Sequence, residues 1–402
     1  MGQTLSRSAT PDYVLRRKGE AYTILDEICQ ELELSEAQYE AAKTSYEAVA
    51  DWLGKSTHPT LRMLSLYAHG STALGTTVRP LAREDFDVDL ICLVLGLTGD
   101  MPPAELKKLI GDRLREHGQY AAMLEEKKRC WRLNYAREFH LDISPTIPNP
   151  HCNNRGELVP DKSLRAWKPT NPLGYRLRFE EYCLLQPVIR ALATAAADSV
   201  AKADIQPFPA RRVRKGILRR IVQLLKRHRD IAFADIEADI APISIIITTL
   251  AAKAYAFCVR QFVFDTELDV VVATIRMMPH FIERPYVDGR RTYSIPNETT
   301  EGENFADRWN QEPERATAFY NWHAKALSDF ESIANLEGLD LLTDTLSGSL
   351  GGRVVRKVMD SRTEVISQAR SAQRLFVAPA VGLTLTPGAQ ASPVPRNTHF
   401  GD

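Results

Sequence analysis

The stretch "AHGSTALGTTVRPLAREDFDVDL", residues 68–90, decides the fold. It begins with a Gly-Ser pair, Gly70 and Ser71, and ends in a strand-like segment where Asp87 and Asp89 alternate with apolar residues. Side chains alternate between the faces of a strand, so both carboxylates are expected on one face. Carboxylates beside an apolar run are costly unless a metal ion, water or an arginine compensates them. The nearby acids Glu84 and Asp85 are expected to be bystanders, although Asp85 shares that face.

A third acid, Asp142, stands in a later strand-like segment, "EFHLDISP". An aspartate between Leu141 and Ile143 needs compensation, which leaves two hypotheses open. Either it joins Asp87 and Asp89 as a metal ligand, or it pairs with an arginine such as Arg132 or Arg137. A solvated strand face is the alternative for Asp87 and Asp89. Mg²⁺ takes oxygen ligands and commonly keeps phosphate oxygens in its shell, so it is the expected cation.

The Gly-Ser pair adds a phosphate-binding feature. A glycine lets a phosphate approach the backbone, and a serine at a helix start offers a hydroxyl and free N–H groups. A plain helix N-cap is the alternative for Ser71. The combination with Asp87, Asp89 and a third acid on a later strand favours a nucleotide site.

Composition narrows the class of protein. The 402 residues carry 51 basic and 51 acidic side chains, so net charge gives no reason to expect a polyanionic partner. The six cysteines form no C-x-x-C pair, which suits a reducing cytoplasm. We expect no membrane span, because no apolar run reaches about 18 residues. The histidine spacing and "HGSTALG" match neither a zinc hydrolase nor a serine-hydrolase elbow.

Periodicity predicts an α+β chain. We expect a helical lead-in packed on the core over residues 1–58 and a catalytic core with a mixed sheet over 59–165. A helical lobe over 166–375 and a disordered tail over 376–402 follow. The tail is rich in Pro, Ala, Gly and Thr, and its only charged side chains are Arg396 and Asp402.

A basic segment, "RRVRKGILRRIVQLLKRHRD" at 211–230, has nine Lys and Arg residues and one acid. Its apolar residues fall on one helical stripe, so the charges are expected on the opposite face. Two readings stay open: a solvated face that grips acids elsewhere in the chain, and a surface that faces a triphosphate. No zinc motif or aromatic interleaving accompanies it, so we expect no nucleic-acid partner.

These motifs carry a resemblance. The layout "HGSTALGT", "DFDVDL" and "FHLDISP" resembles the nucleotidyltransferase superfamily typified by DNA polymerase β. It is more closely similar to the cGAS/DncV-like nucleotidyltransferases (CD-NTases) of bacterial CBASS antiphage systems. The segments "WKPTNPLGY", "VQLLKRHRD", "PISIIITTLAAKAY" and "GENFADRW" look like the helical half of that family. The likeness covers about residues 60–330 and implies a bilobal polymerase β-like fold.

The resemblance also implies a function. It implies template-independent, metal-dependent synthesis of a cyclic di- or trinucleotide second messenger from ATP and/or GTP, with release of pyrophosphate. Two Mg²⁺ ions, for which Mn²⁺ can substitute, are implied cofactors, and a companion CBASS protein that binds or conjugates the tail near Gly401 is an implied partner. The alternatives are transfer to an RNA 3′ end, a protein or a drug, and an inactive nucleotide-binding scaffold.

The resemblance assigns roles by position. Gly70 and Ser71 would hold the triphosphate, while Asp87, Asp89 and Asp142 would bind the metal ions. Asp142 would also accept the proton of the attacking hydroxyl. Lys226 would contact a phosphate and Ser244 would lie near the nucleotide. Which bases are joined, by which linkage and in what ring size is not decided by these motifs.

Overall fold

The computed structural model describes residues 10–81, 86–135, 139–161, 163–190, 215–236, 238–378, 382–385 and 391–395. Glu84, Asp85, Arg137 and Gly401, for which the sequence gives expectations, lie outside the described residues.

A mixed seven-stranded sheet forms the first lobe. Its strands are β1 Leu64–His69, β2 Phe86–Val94, β3 Leu124–Glu126, β4 Trp131–Tyr135, β5 Phe139–Pro148, β6 Glu157–Pro160 and β7 Trp167–Thr170. The order is β1-β2-β5-β4-β3, and β6 pairs with the end of β5 and with β7. β2 and β5 run parallel, which sets Asp89 opposite Asp142. The two acidic segments of the sequence are therefore neighbouring strands.

Side chains of β2 alternate between a face that packs in the core of the sheet lobe and a face that carries the two aspartates. Phe86, Val88 and Leu90 are buried in the core of the sheet lobe, while Asp87 and Asp89 point to the other face. This confirms the expectation that the two carboxylates share a face. Three helices accompany the sheet: α3 Gly70–Leu74, α4 Pro103–Arg115 and α5 Gly118–Met123.

The second lobe is helical. Its helices are α6 Pro172–Leu184, α7 Ile217–Ala232, α8 Ser244–Gln261, α9 Glu267–Met277, α10 Pro313–Asn335, α11 Leu339–Leu346 and α12 Gly352–Ser371. Short strand pairs lie within it, β8 Val188–Ile189 with β9 Val263–Phe264 and β10 Tyr286–Val287 with β11 Arg290–Arg291. A mixed-sheet lobe beside a helical lobe confirms the predicted α+β class.

The N-terminal helices divide between the lobes. α1 Asp12–Glu31 buries Ile24, Leu25 and Ile28 in the core of the helical lobe. α2 Glu36–Gly54 buries Ala42, Val49 and Leu53 in the core of the sheet lobe. The lead-in thus bridges the two cores. No helix in the described part of the chain is both long and apolar enough to cross a bilayer.

The C-terminal segment differs from its expected disorder where the structure describes it. Three short strands pair there, with β12 Phe376–Ala378 between β13 Gly382–Thr384 and β14 Ser392–Pro393. Phe376, Val377 and Leu383 favour strands, which the Pro- and Gly-rich average of the segment conceals.

Candidate active site

A cleft of about 630 Å³ lies between the two lobes. Its walls include six of the seven residues that the sequence singled out: Gly70, Ser71, Asp87, Asp89, Lys226 and Ser244. The seventh, Asp142, lies beside Asp89 in the β2–β5 pairing. Residues far apart in the chain therefore meet in one concave site of the size that small ligands occupy.

Gly70 makes a contact that a larger residue cannot make. Its φ is +66°, and a Cβ there would lie 2.1 Å from Oδ2 of Asp89. The preceding residue, His69, pairs with Asp89 across β1 and β2. The backbone of the Gly-Ser pair thus lies directly against the carboxylate of Asp89, and the two motifs of the opening stretch form one site.

Ser71 is not the N-cap of α3, so the plain N-cap alternative was wrong. His69 occupies the N-cap position and makes no side-chain capping bond. Ser71 is the second residue of the helix, lines the cleft, and accepts a hydrogen bond from Oγ1 of Thr77 at 3.4 Å.

The carboxyl group of Asp89 lies close to two other acidic side chains. Burial, followed by the charges of Asp142 and Asp87, raises the pKa of its carboxyl to about 7. A cation placed beside Asp89 would favour the ionised form, because opposite charge lowers the pKa of a carboxyl group. The oxygen donors of this site are of the kind that Mg²⁺ prefers.

Arg132 on β4 holds two of the three acids. Its Nε donates to Oδ1 of Asp142 at 2.7 Å, and its Nη2 donates to Oδ2 of Asp142 at 2.8 Å and to Oδ1 of Asp87 at 3.0 Å. Of the two hypotheses left open for Asp142, the structure shows the ion pair with Arg132. Among the described residues, no three His, Cys, Asp or Glu side chains are arranged to hold a metal ion. Arg132 thus donates to both carboxylate oxygens of Asp142.

Lys226 and Ser244 face the acids from the helical lobe. Nζ of Lys226 is buried and donates to the carbonyl oxygen of Thr76 at 3.1 Å. Burial, with a smaller contribution from Arg229, lowers the pKa of Lys226 to about 8. Ser244 begins α8, and its Oγ lies 3.4 Å from both Nη atoms of Arg229.

The solvated face expected for the basic segment is wrong over the described part of α7. Every residue from Leu218 to His228 is buried. Its arginines form ion pairs inside the protein: Arg219 with Glu180 at 2.6 Å, and Arg220 with Asp26 and Glu33. The segment does bind acidic residues elsewhere in the chain, as the first of the two hypotheses predicted, but these ion pairs lie inside the protein and not on a solvated face.

Other cleft residues were not predicted as site residues from the sequence. They come from several elements and loops: Arg129, Thr146, Lys168, Tyr175, Thr248 and Glu303. Asn297 also lines the cleft and donates to Oε2 of Glu303 at 2.7 Å. Lys168, Tyr175, Thr248 and Glu303 lie in segments that resemble the family's helical half, but the sequence gave no reason to single them out within those segments. Arg129 and Thr146 lie outside every such segment, and the fold alone brings them to the cleft.

The architecture defines a structural class, the polymerase β-like fold: a mixed sheet carries the D-x-D strand, the Gly-Ser pair begins the helix after β1, and a helical lobe lines the other side of the cleft. Comparison with known proteins narrows this class. Residues 21–182 match the family model described as the Second Messenger Oligonucleotide or Dinucleotide Synthetase domain.

Relatives match over nearly the whole chain. A protein of Roseivirga ehrenbergii named c-di-GMP synthase is 27% identical over 382 residues, which cover 94% of this chain and 96% of that protein. The cyclic dinucleotide synthase CdnG of Bradyrhizobium diazoefficiens is 25% identical over 400 residues, covering 94% and 93%.

Solved structures share the fold. That of the Bradyrhizobium CdnG in complex with GTP matches with a TM-score of 0.64 at 20% identity, covering 86% of this chain and 99% of that one. An Escherichia coli CdnC:HORMA-deltaN complex matches with a TM-score of 0.57 at 13% identity, covering 83% and 96%. This chain therefore shares the fold of these two structures, of which the Bradyrhizobium CdnG is described as a CD-NTase.

Proposed function

We propose that this protein joins nucleoside triphosphates into a cyclic dinucleotide second messenger, without a template and with release of pyrophosphate, in antiphage signalling. The observation that carries the proposal is the meeting of Gly70, Ser71, Asp87 and Asp89 in one cleft with Lys226 from the opposite lobe. Phosphate-binding groups and metal-binding acids then flank the same space. Transfer of a nucleotidyl group needs this arrangement, since its catalysis is largely positioning and electrostatic stabilisation.

The residues divide the work. Ser71 from the sheet lobe and Lys226 from the helical lobe hold the triphosphate, and the long stem of Lys226 suits mobile phosphate oxygens. Asp87 and Asp89 hold Mg²⁺, which when bound would activate the attacking ribose hydroxyl and neutralise charge on the leaving pyrophosphate. Asp142 accepts the proton of that hydroxyl, and Arg132, which donates to both of its carboxylate oxygens, orients it.

We propose GTP as the substrate and cyclic di-GMP as the product. Two relatives support this choice by name: the c-di-GMP synthase of Roseivirga, and the Bradyrhizobium CdnG that was solved with GTP. The ring then contains two guanosines, each of which acts once as donor and once as acceptor.

The test is product analysis without an added acceptor. The protein is incubated with Mg²⁺ and each NTP alone or in pairs, treated with phosphatase, and its products are analysed by mass spectrometry. We expect GTP alone to give phosphatase-resistant cyclic di-GMP. A cyclic product that needs ATP would overturn the choice of base. Products that form only when RNA or protein is added would overturn cyclic synthesis.

We also propose a companion protein. The support is the E. coli CdnC solved in complex with HORMA-deltaN, which shares this fold. Attachment through the C-terminal tail remains a prediction, because residues 396–402 lie outside the described residues. Deleting residues 396–402 should abolish association with that companion in a pull-down, and unchanged association would contradict attachment there.

A further inference from the structure

Side chains of α7 bind a row of backbone carbonyls at the foot of the candidate phosphate site. Nε of Arg219 donates to Leu74 at 2.9 Å, and Nε2 of Gln223 donates to Thr77 at 3.1 Å. The other two donors are Nζ of Lys226, to Thr76 at 3.1 Å, and Nη1 of Arg227, to Arg79 at 3.4 Å. Residues at these spacings share one helix face. One face of α7 therefore holds the loop formed by residues 75–79, which we call the α3 loop.

The α3 loop folds back onto Ser71. The backbone N–H of Thr76 donates to the carbonyl oxygen of Ser71 at 2.9 Å, and Oγ1 of Thr77 donates to its Oγ at 3.4 Å. Thr77 thus has two roles: its carbonyl is held by Gln223, and its hydroxyl contacts the serine proposed to bind phosphate. The hydroxyl of Ser71 is two hydrogen bonds away from α7.

Gln223 is suited to fixing this geometry. Its side chain is fully buried, and its Oε1 accepts from Nη1 of Arg220 at 3.1 Å. Arg220 is itself held by Glu33 at 2.6 Å. The charge-assisted bond to Arg220 directs Oε1 away from the loop and aims the amide N–H at Thr77. Gln223 is uncharged, so its effect on a nucleotide would act through position and not through net charge.

We propose that Gln223 is a positioning residue for the triphosphate: it holds the α3 loop, and through Thr77 it orients the hydroxyl of Ser71. This inference rests on the proposed function, because it assumes that Ser71 receives a phosphate. A nucleotide without its β- and γ-phosphates should be insensitive to Gln223, since it makes less use of that subsite.

The test compares affinities for α,β-methylene-GTP and GMP by calorimetry in wild type and Gln223→Met. Methionine keeps the length of the side chain but cannot donate to Thr77. We expect about 10-fold weaker binding of the triphosphate analogue and a change below about 2-fold for GMP, as loss of one positioning contact predicts. In turnover assays, KM for GTP should rise while kcat stays within about 2-fold.

Val222→Ala is the matched control, since Val222 is buried in the same helix. It should lower stability without separating the two affinities. If Gln223→Met does not fold, Thr77→Val replaces it, with Thr77→Ser as the rescue that restores the hydroxyl. Equal affinities in variant and wild type, or equal weakening for analogue and GMP, would overturn the inference alone. Failure of the wild type to bind the triphosphate analogue would instead overturn the proposed function.

Discussion

The two walls of the cleft carry opposite charges, and they differ in how far those charges are exposed and bonded within the protein. On the sheet wall, Asp87 is 55% exposed and Asp89 is half-buried among like charges, with Arg132 bridging Asp87 and Asp142. On the helical wall, the cations of α7 are buried and bonded to carbonyls and carboxylates of the protein itself. Asp87 and Asp89 therefore line the open cleft, although Arg132 pairs with Asp87, whereas most of the bases are bonded within the protein. Lys226 is the member of α7 that also lines the cleft.

Among the predicted changes, replacement of Asp89 on the sheet wall should have the largest effect. We expect Asp89→Asn to lose at least about 1000-fold in nucleotidyl transfer, because a proposed ligand for the cation is removed. The same change should stabilise the fold. The pKa of Asp89 is raised to about 7, so the folded state binds more protons than the unfolded state between about pH 4 and 7. Wild-type stability therefore falls as pH rises through that window.

The measurement is urea denaturation at pH 5 and pH 8. At pH 8 Asp89→Asn should be more stable than wild type by roughly 1–3 kcal/mol, and the difference should shrink at pH 5. Asp112→Asn is the control, since Lys108 and Arg115 lower the pKa of that surface carboxyl. Lower stability of Asp89→Asn at pH 8 would contradict the buried-charge account.

Gly70 tests the close approach between the two motifs. Gly70→Ala should reduce transfer about 100-fold, because a misplacement of about 1 Å near reacting groups has an effect of that size. Gly289→Ala is the control: its φ is +74°, but a Cβ there meets nothing within 4 Å. Both variants carry backbone strain, so similar activity in the two would show that the contact with Asp89 does not matter.

Arg132 tests whether the acids are available. Arg132→Met should tighten Mn²⁺ binding about 10-fold, because the competing guanidinium is removed from Asp87 and Asp142. Electron paramagnetic resonance of free Mn²⁺ measures this without turnover. Arg129→Met removes a charge from the same cleft and should change the affinity less than about 3-fold. Equal effects in both variants would assign the change to net charge alone.

The smallest effect concerns Lys226. The lowered pKa, about 8, means that this side chain loses its charge as pH rises through 8. Affinity for α,β-methylene-GTP should therefore fall roughly 3-fold between pH 7 and 9 in wild type, but less in Lys226→Arg, which keeps its charge. Identical slopes in the two proteins would remove Lys226 from the list of phosphate contacts.

The two walls also differ in how well the sequence predicts them. The sheet wall was predictable because strand alternation places Asp87 and Asp89 on one face and because apolar segments flank both acidic strands. Arg132 was a candidate partner of Asp142, but only the pairing of β4 with β5 shows that it also reaches Asp87.

The helical wall was less predictable. The amphipathic pattern of α7 indicates an exposed charged face, yet Asp26 and Glu180 from other helices and Glu33 from the loop after α1 cover that face. Sequence periodicity reports which side of a helix is apolar, but it does not report which distant residues will bury the polar side. The hydrogen bond from Gln223 to Thr77 could not be predicted from the sequence for the same reason.

The most direct test of the central claim is product formation from α-³²P-GTP and Mg²⁺ by the wild type and by the Asp87→Ala, Asp89→Ala double variant. Circular dichroism establishes that both proteins are folded. The wild type should convert label into a phosphatase-resistant cyclic dinucleotide, and the folded double variant should form none above background. Full activity in the double variant would contradict the assignment of the acidic strand as the catalytic centre.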